Sequence, residues 1–143
     1  MGQMVNILTL KWGTMYSAEY VNRIYRGVKR HLHRPFRFVC VTDDPTGLVE
    51  GVEAVAYPEK PSNMVLNEYY PTWPNLLSKL LVFKTGFANL EGPTLFLDID
   101  QVITGNLDCF FDYKPGEFCI IHNWIEFRKR LFRTVPFVGN SSC

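Results

Sequence analysis

Thr94-Leu95-Phe96-Leu97-Asp98-Ile99-Asp100 decides how the chain is read, because an apolar run ends there in two acidic residues flanking one isoleucine. Side chains alternate across a strand. A strand continued through the triplet would put Asp98 and Asp100 on one side and Ile99 on the other, where it can be buried. Two hard oxygen donors converging at a strand mouth suit Mg²⁺ or Mn²⁺, ions usually held by one or two protein carboxylates together with phosphate oxygens. Gln101-Val102-Ile103-Thr104-Gly105 reads as a second short β segment. Open α/β sheets bind ligands beyond the carboxyl ends of their strands, which makes this position a candidate site rather than a solvated turn.

Working outward, Val5-Asn6-Ile7-Leu8-Thr9-Leu10 is β-prone and apolar at most positions, and it predicts a strand over 5–10 that leads through Gly13 into helical spacing. Over 17–32, Ala18, Val21, Ile24, Tyr25, Val28 and Leu32 fall on one stripe while Arg23, Arg26, Lys29 and Arg30 fall off it, and Ser17 stands at the N-cap. The run 36–41 predicts a second strand ending in Thr42-Asp43-Asp44-Pro45, another polar group at a carboxyl end. A third strand is expected over 52–56. The loop over 57–74, rich in Pro, Asn and Tyr, is long enough to serve as a lid or binding loop. Leu76, Leu77, Leu80, Leu81 and the stretch 83–87 predict a helix carrying Lys79 and Lys84, and Gly92-Pro93 punctuates before the acidic strand. The order β-α-β-β-α-β is that of an α/β fold with an open, mostly parallel sheet flanked by helices. Farther on, 107–111 and 118–121 are short apolar segments and 124–132 reads as one more amphipathic helix.

A chain of 143 residues suffices for a single domain with a real core, read as spanning 1–143. It is 47% apolar and 15% aromatic, which excludes a disordered chain. The net charge of +1 gives no global field for nucleic acid. Arg26, Lys29, Arg30, His31, His33 and Arg34 form a local basic stretch, read as a solvated helix face, with a phosphate-facing rim or a peripheral membrane contact as the alternatives. The four cysteines, Cys40, Cys109, Cys119 and Cys143, show no Cys-x-x-Cys spacing, so they support neither a zinc site nor a redox motif. They read as small core residues in a reducing, cytoplasmic setting. No apolar stretch approaches the roughly 18 residues that span a bilayer. The sequence stops at Gly139-Asn140-Ser141-Ser142-Cys143, after an apolar pair that reads as the entry to another strand, so a truncated carboxyl terminus is expected.

Several segments taken together resemble the nucleotide-diphosphate-sugar glycosyltransferases of the GT-A fold that carry an Asp-x-Asp motif. The resemblance covers most of the chain. It is carried by Leu8-Thr9-Leu10-Lys11-Trp12 with Tyr16 and Glu19-Tyr20-Val21-Asn22, by Arg37-Phe38-Val39-Cys40-Val41-Thr42-Asp43, by Leu77-Ser78-Lys79-Leu80 with Phe83, and by Leu95 to Asp100 running into Gly105-Asn106-Leu107-Asp108. It implies a Rossmann-like sheet, a Mn²⁺ or Mg²⁺ cofactor held by Asp98 and Asp100, and a UDP- or GDP-type sugar donor contacted by Thr9, Leu10, Lys11, Thr42, Asp43, Lys79 and Ile99. The acceptor would be a saccharide or other hydroxyl compound. Such enzymes commonly complete the metal site with a later residue, often a histidine, and build the acceptor pocket from a carboxyl-terminal half that this sequence lacks. A surface left uncovered by that missing half could pair with another copy.

Each residue also has a plainer reading. Thr42 and Asp43 could build an Asx-type turn before Pro45. Lys11 could be a surface residue, and Lys79 a solvent-facing lysine on an amphipathic helix. Trp12, Trp73 and Trp124 read as core aromatics before base-stacking ones, and His122 as a satisfied strand-end histidine. Two rival functions stand beside the glycosyltransferase. One is a haloacid-dehalogenase-like phosphatase with Asp98 as nucleophile, although such enzymes place that loop near the start of the domain. The other is a non-catalytic nucleotide- or sugar-binding module.

Overall fold

A computed structural model describes residues 3–56 and 77–120. Strand β1 (Val5–Lys11) leads into helix α1 (Ala18–His31), which returns the chain to β2 (Phe36–Thr42) and then β3 (Val52–Ala56). Two 3₁₀ helices, Leu77–Phe83 and Phe87–Asn89, precede β4 (Thr94–Phe96), and a five-residue helix α2 (Asp108–Asp112) follows. The four strands form one parallel sheet in the order β3-β2-β1-β4. The coarse expectation of an α/β fold with a parallel sheet therefore holds.

Parallel strands covered on both faces read as nearly unbroken apolar runs, and the two central strands do so. On one face Val5 and Ile7 of β1 and Phe38 and Cys40 of β2 pack under Val21, Ile24 and Val28 of α1. On the other, Leu8, Val39 and Val41 pack with Phe87 and the partly buried Leu81 and Val82 from the 3₁₀ turns. The register Ile7↔Phe38 and Leu8↔Val39 brings like-facing side chains together across the two strands. Each fully buried aliphatic or aromatic side chain contributes about 1.5–3 kcal/mol.

Buried polar side chains fix how the elements join. Asn6 Nδ2 donates to the Glu91 carbonyl at 2.7 Å, beside the β1–β4 pairing. Asn22, buried on α1, donates to the Gly47 carbonyl at 2.9 Å and accepts from the Val49 amide at 3.1 Å, holding the loop before β3. Arg37 forks onto Glu53 at 2.7 and 2.6 Å and reaches the Asn89 carbonyl at 2.9 Å, tying β2, β3 and the second 3₁₀ turn. At position 27 the lack of a side chain lets the segment after β4 lie close, since a Cβ there would stand 3.1 Å from that of Ile103, which would have to shift by a few tenths of an ångström.

Several expectations are corrected. The segment carrying Lys79 is a 3₁₀ helix over Leu77–Phe83 rather than one α-helix reaching 87, and Gly86 at φ 74° separates it from the second 3₁₀ turn. Residues 101–105 form no strand. They pass along α1 instead, with Ile103 against Gly27 and the Leu107 amide donating to the His31 carbonyl at 2.9 Å. Ser17 occupies the N-cap, but its side chain makes no capping hydrogen bond. The basic stretch is not merely a solvated face. Arg34 is held between Asp108 (2.9 Å) and Asp112 (2.9 Å), and His33 also meets Asp108, so the two residues dock α2. Among the described cysteines only Cys40 is a buried core thiol; Cys119 is a half-buried free thiol, and Cys109 is disulfide-bonded. The segment 118–120 forms no regular element, with Phe118 and Ile120 exposed. The loop over 57–74, the helix over 124–132, His122, Trp73, Trp124 and Cys143 lie outside the described residues. Among the described residues, no helix is long and apolar enough to cross a membrane.

Candidate functional site

The strand order reverses direction between β1 and β4, since β2 and β3 build outward on one side of β1 and β4 lies on the other. A ligand crevice in an open α/β sheet lies at such a switch point, beyond the carboxyl ends of the two strands. The residues there are Lys11 at the end of β1 with Trp12 and Gly13 after it, and Asp98, Ile99 and Asp100 after β4.

The acidic triplet is a turn and not a continued strand. The β1–β4 ladder ends where the Leu97 amide donates to the Leu8 carbonyl at 2.9 Å. The Gln101 amide then donates to the Asp98 carbonyl at 3.1 Å, while the Asp98 amide donates to Gln101 Oε1 at 3.0 Å. Strand alternation therefore does not orient the two carboxylates, and this part of the expectation is overturned. Ile99 packs against the α1-side core as a partly buried residue. Asp98 is half-buried and ion-paired with Lys79 from the 3₁₀ helix Leu77–Phe83. Asp100 is exposed and has no hydrogen-bond or ion-pair partner among the described residues. Lys79 thus reaches the acidic motif, and the plainer reading of a purely solvent-facing lysine fails.

At the end of β1, Lys11 is buried rather than a surface residue, at 5% exposure, with its Nζ 3.5 Å from the Asp44 carbonyl in the loop after β2. Thr9 lies on the same face of β1, fully buried, and its hydroxyl has no hydrogen-bond partner among the described residues. Leu10 is partly buried on the opposite face. The Thr42 hydroxyl is engaged locally, donating to the Asp44 carbonyl at 3.0 Å and accepting from the Asp44 amide at 3.1 Å. Asp44 in turn accepts from the Thr46 side chain and from its amide at 2.9 Å, which together hold its carboxyl below the usual range, so the turn reading is realised at Thr42 and Asp44. Asp43 instead reaches across to the Gly13 amide and ties the β1 and β2 loops together. Beside Thr9, burial pushes the Cys40 thiol up to about 12, so it stays protonated and is no nucleophile at neutral pH.

The candidate residues fall into two groups, Lys11 with Thr9, Thr42 and Asp43, and Asp98 with Asp100 and Lys79. They stand at the ends of adjacent strands. A cavity of about 270 Å³ opens from Asp100 along α1, beside Tyr20, Arg23 and Arg30. A smaller one of about 170 Å³ lies on the far face, between Val41, Val55 and the 84–88 turn. Neither is lined by Asp98 or Lys11. Among the described residues no three His, Cys, Asp or Glu side chains gather to hold a metal. Asp98 and Asp100 stand in one turn as the two carboxylates of the acidic motif, the first of them paired with Lys79. Sequence reasoning missed Gln101 as the organiser of the acidic turn and Asn22 as the holder of the loop before β3, because their partners lie in loops that no periodicity marks.

Compared with protein-family models, with curated proteins and with solved structures, the chain matches none.

Proposed function

We propose that the chain is the donor-binding part of a metal-dependent glycosyltransferase of the GT-A, Rossmann-like type, which moves a sugar from a UDP or GDP donor to a hydroxyl acceptor. The observation that carries the reading is the strand order β3-β2-β1-β4, which puts the switch point between Lys11 and the Asp98–Asp100 turn. A cationic group on one strand end and an acidic, cation-holding turn on the next suit a nucleoside diphosphate bridged to a divalent ion.

In this reading Asp98 and Asp100 hold Mn²⁺ or Mg²⁺, which when bound supplies Lewis-acid stabilisation of charge on the leaving diphosphate. Lys79, already at Asp98, adds a second positive charge beside the phosphates. Among the described residues the Lys11 ammonium has the Asp44 carbonyl as its hydrogen-bond partner, at a long 3.5 Å, so an anion reaching it would be a better one. The Gly13–Asp43 tie keeps the two nucleoside-side loops in register. Ile99, packed on the core, fixes the position of the carboxylates on either side. A cytoplasmic setting belongs to the proposal, supported by the free thiols of Cys40 and Cys119 and opposed by the disulfide at Cys109.

Calorimetric titration with UDP and with GDP, each with and without Mn²⁺, tests the reading. Binding of one nucleotide that requires Mn²⁺ is the expected result and names the donor base. Binding of neither, or binding indifferent to metal, overturns it.

A further inference from the structure

We propose that the groove between α1 and the segment 99–103 binds a small hydroxylated anion, a sugar acid or a sugar phosphate, without a metal. The site is separate from the donor-site reading, since neither Lys11 nor Asp98 lines this cavity of about 270 Å³. Its size is near the lower end of ligand pockets, roughly 300 Å³.

One close approach builds the groove. Tyr20, Arg23, Gly27 and Arg30 follow one another at helical intervals and share a stripe of α1. Ile103 comes in where Gly27 has no side chain, and farther along both chains the Leu107 amide donates to the His31 carbonyl at 2.9 Å. The segment therefore runs in the same direction as the helix. Asp100 and Gln101 fall toward Tyr20 and Arg23, and Arg30 lies beyond Ile103. Ile99 and Ile103 pack on the core and give the groove an apolar floor.

The charges along it do not cancel. Arg23 shares the single carboxylate of Glu19 with Arg26, and its own contact is long at 3.4 Å. Its guanidinium lies over Tyr20, 5.7 Å from the ring centroid. Arg30 and Asp100 have no hydrogen-bond or ion-pair partner among the described residues. Lys29 and His31 already place cations in the last turn of α1, where the helix dipole favours them, and the dipole has no claim on Arg23 farther back. Two guanidiniums on one groove suit a carboxylate or a phosphate, the planar and multidentate anions that arginine recognises.

Asp100 decides the rest of the ligand. It would repel a bare anion, whereas a hydroxyl can donate to it. Gln101 stands next to it with its Oε1 taken by the Asp98 amide, which leaves its Nε2 to donate to a ligand oxygen. An ammonium would satisfy Asp100 but meet the charge of Arg23. A hydroxylated body at the Asp100 end with an anionic group on the arginines matches both.

Calorimetry on the full chain, in EDTA and without nucleotide, tests the proposal. The probes are glucuronate and glucose 6-phosphate, which carry the two kinds of anion that arginine binds, and the controls are glucose and inorganic phosphate. At least one probe should bind about tenfold tighter than either control, and the tighter probe names the anionic group. Arg23→Gln and Arg30→Gln should each weaken it by about tenfold, the loss expected of a hydrogen bond to a charged group. Arg23→Lys and Arg30→Lys, which keep the charge without the fork, should lose less, and thermal melting shows that each variant is folded. Asp100→Ala should weaken the sugar probe yet tighten inorganic phosphate, because the repulsion goes with the carboxylate. If neither probe binds, or if both neutral arginine variants bind as wild type does, the proposal fails. It fails equally if inorganic phosphate binds as tightly as the probes and Asp100→Ala tightens all three, since the groove is then an unselective cationic patch. With metal and nucleotide left out, each failure leaves the donor-site reading to its own titration.

Discussion

The Gly13 amide points at both carboxylate oxygens of Asp43, at 3.2 and 3.1 Å, and so joins the loop after β1 to the loop after β2. Gly13 has φ 67°, a left-handed conformation that a side chain disfavours, and this is what turns its amide toward the neighbouring strand end. Asp43→Ala leaves the amide to water and should lower stability by about 1 kcal/mol, while Asp43→Asn, which keeps an acceptor, should lose less. Urea midpoints measure both. Equal losses would show that the tie contributes through charge and not through the hydrogen bond.

Asp108 predicts how the fold responds to acid. Burial pushes its carboxyl up, but hydrogen bonds from His33 and Arg34 outweigh burial and hold it below the usual carboxylate range. A carboxyl whose folded pKa is depressed binds fewer protons folded than unfolded, so its contribution is complete above the unfolded value. It is lost as the pH falls through the folded one. Stability should therefore drop below about pH 4. Asp108→Asn should cost about 1–2 kcal/mol at pH 7 and make the acid decline shallower. Urea midpoints at pH 7 and pH 3 decide it, and an unchanged pH dependence in the variant would remove Asp108 from the account.

Gly51 stands at φ 96°, and a Cβ built there would lie 2.0 Å from Tyr25 Oη and 2.7 Å from its Cζ. Tyr25 cannot simply retreat, because its ring packs edge-on against Phe36 and Phe38 beneath α1. Gly51→Ala should cost about 2–3 kcal/mol, combining the left-handed penalty with overpacking. Adding Tyr25→Phe removes the hydroxyl contact but keeps the ring carbon, so it should restore only part of the loss. Thermal denaturation of the single and double variants gives the comparison, and full restoration would assign the whole effect to the hydroxyl.

Periodicity carried most of the fold. The third strand falls where its pattern places it, and β1, α1 and β2 begin and end within a residue or two of their apolar runs, because burial on one stripe or on both faces leaves that signature. It failed where local rules compete with tertiary ones. Asp98 and Asp100 follow an apolar strand, but the ladder stops at Leu97, and a Gln101 side chain closes the turn in its place. The helical spacing read over 76–87 around Lys79 does not distinguish i→i+3 from i→i+4 hydrogen bonding. The docking of Arg34 on Asp108 spans 74 positions, and no spacing rule links them. At the candidate site the residue types were legible and their pairing was not.

Asp98 and Asp100 should separate under mutation although they sit in one motif. Asp100 is exposed and unpaired among the described residues, so Asp100→Asn should leave the melting temperature nearly unchanged, within the roughly 0.5 kcal/mol typical of surface substitutions. Asp98→Asn also breaks the ion pair with Lys79 and should cost up to about 1 kcal/mol more. Both should abolish Mn²⁺-dependent nucleotide binding if each carboxylate holds the ion. A ligand that binds only the folded state raises its stability by mass action, so a nucleoside diphosphate with Mn²⁺ should raise the wild-type melting temperature more than either alone, and neither variant should show that synergy. Retention of the synergy in Asp100→Asn would reduce the site to Asp98 and Lys79 and make the second acidic residue a feature of the turn.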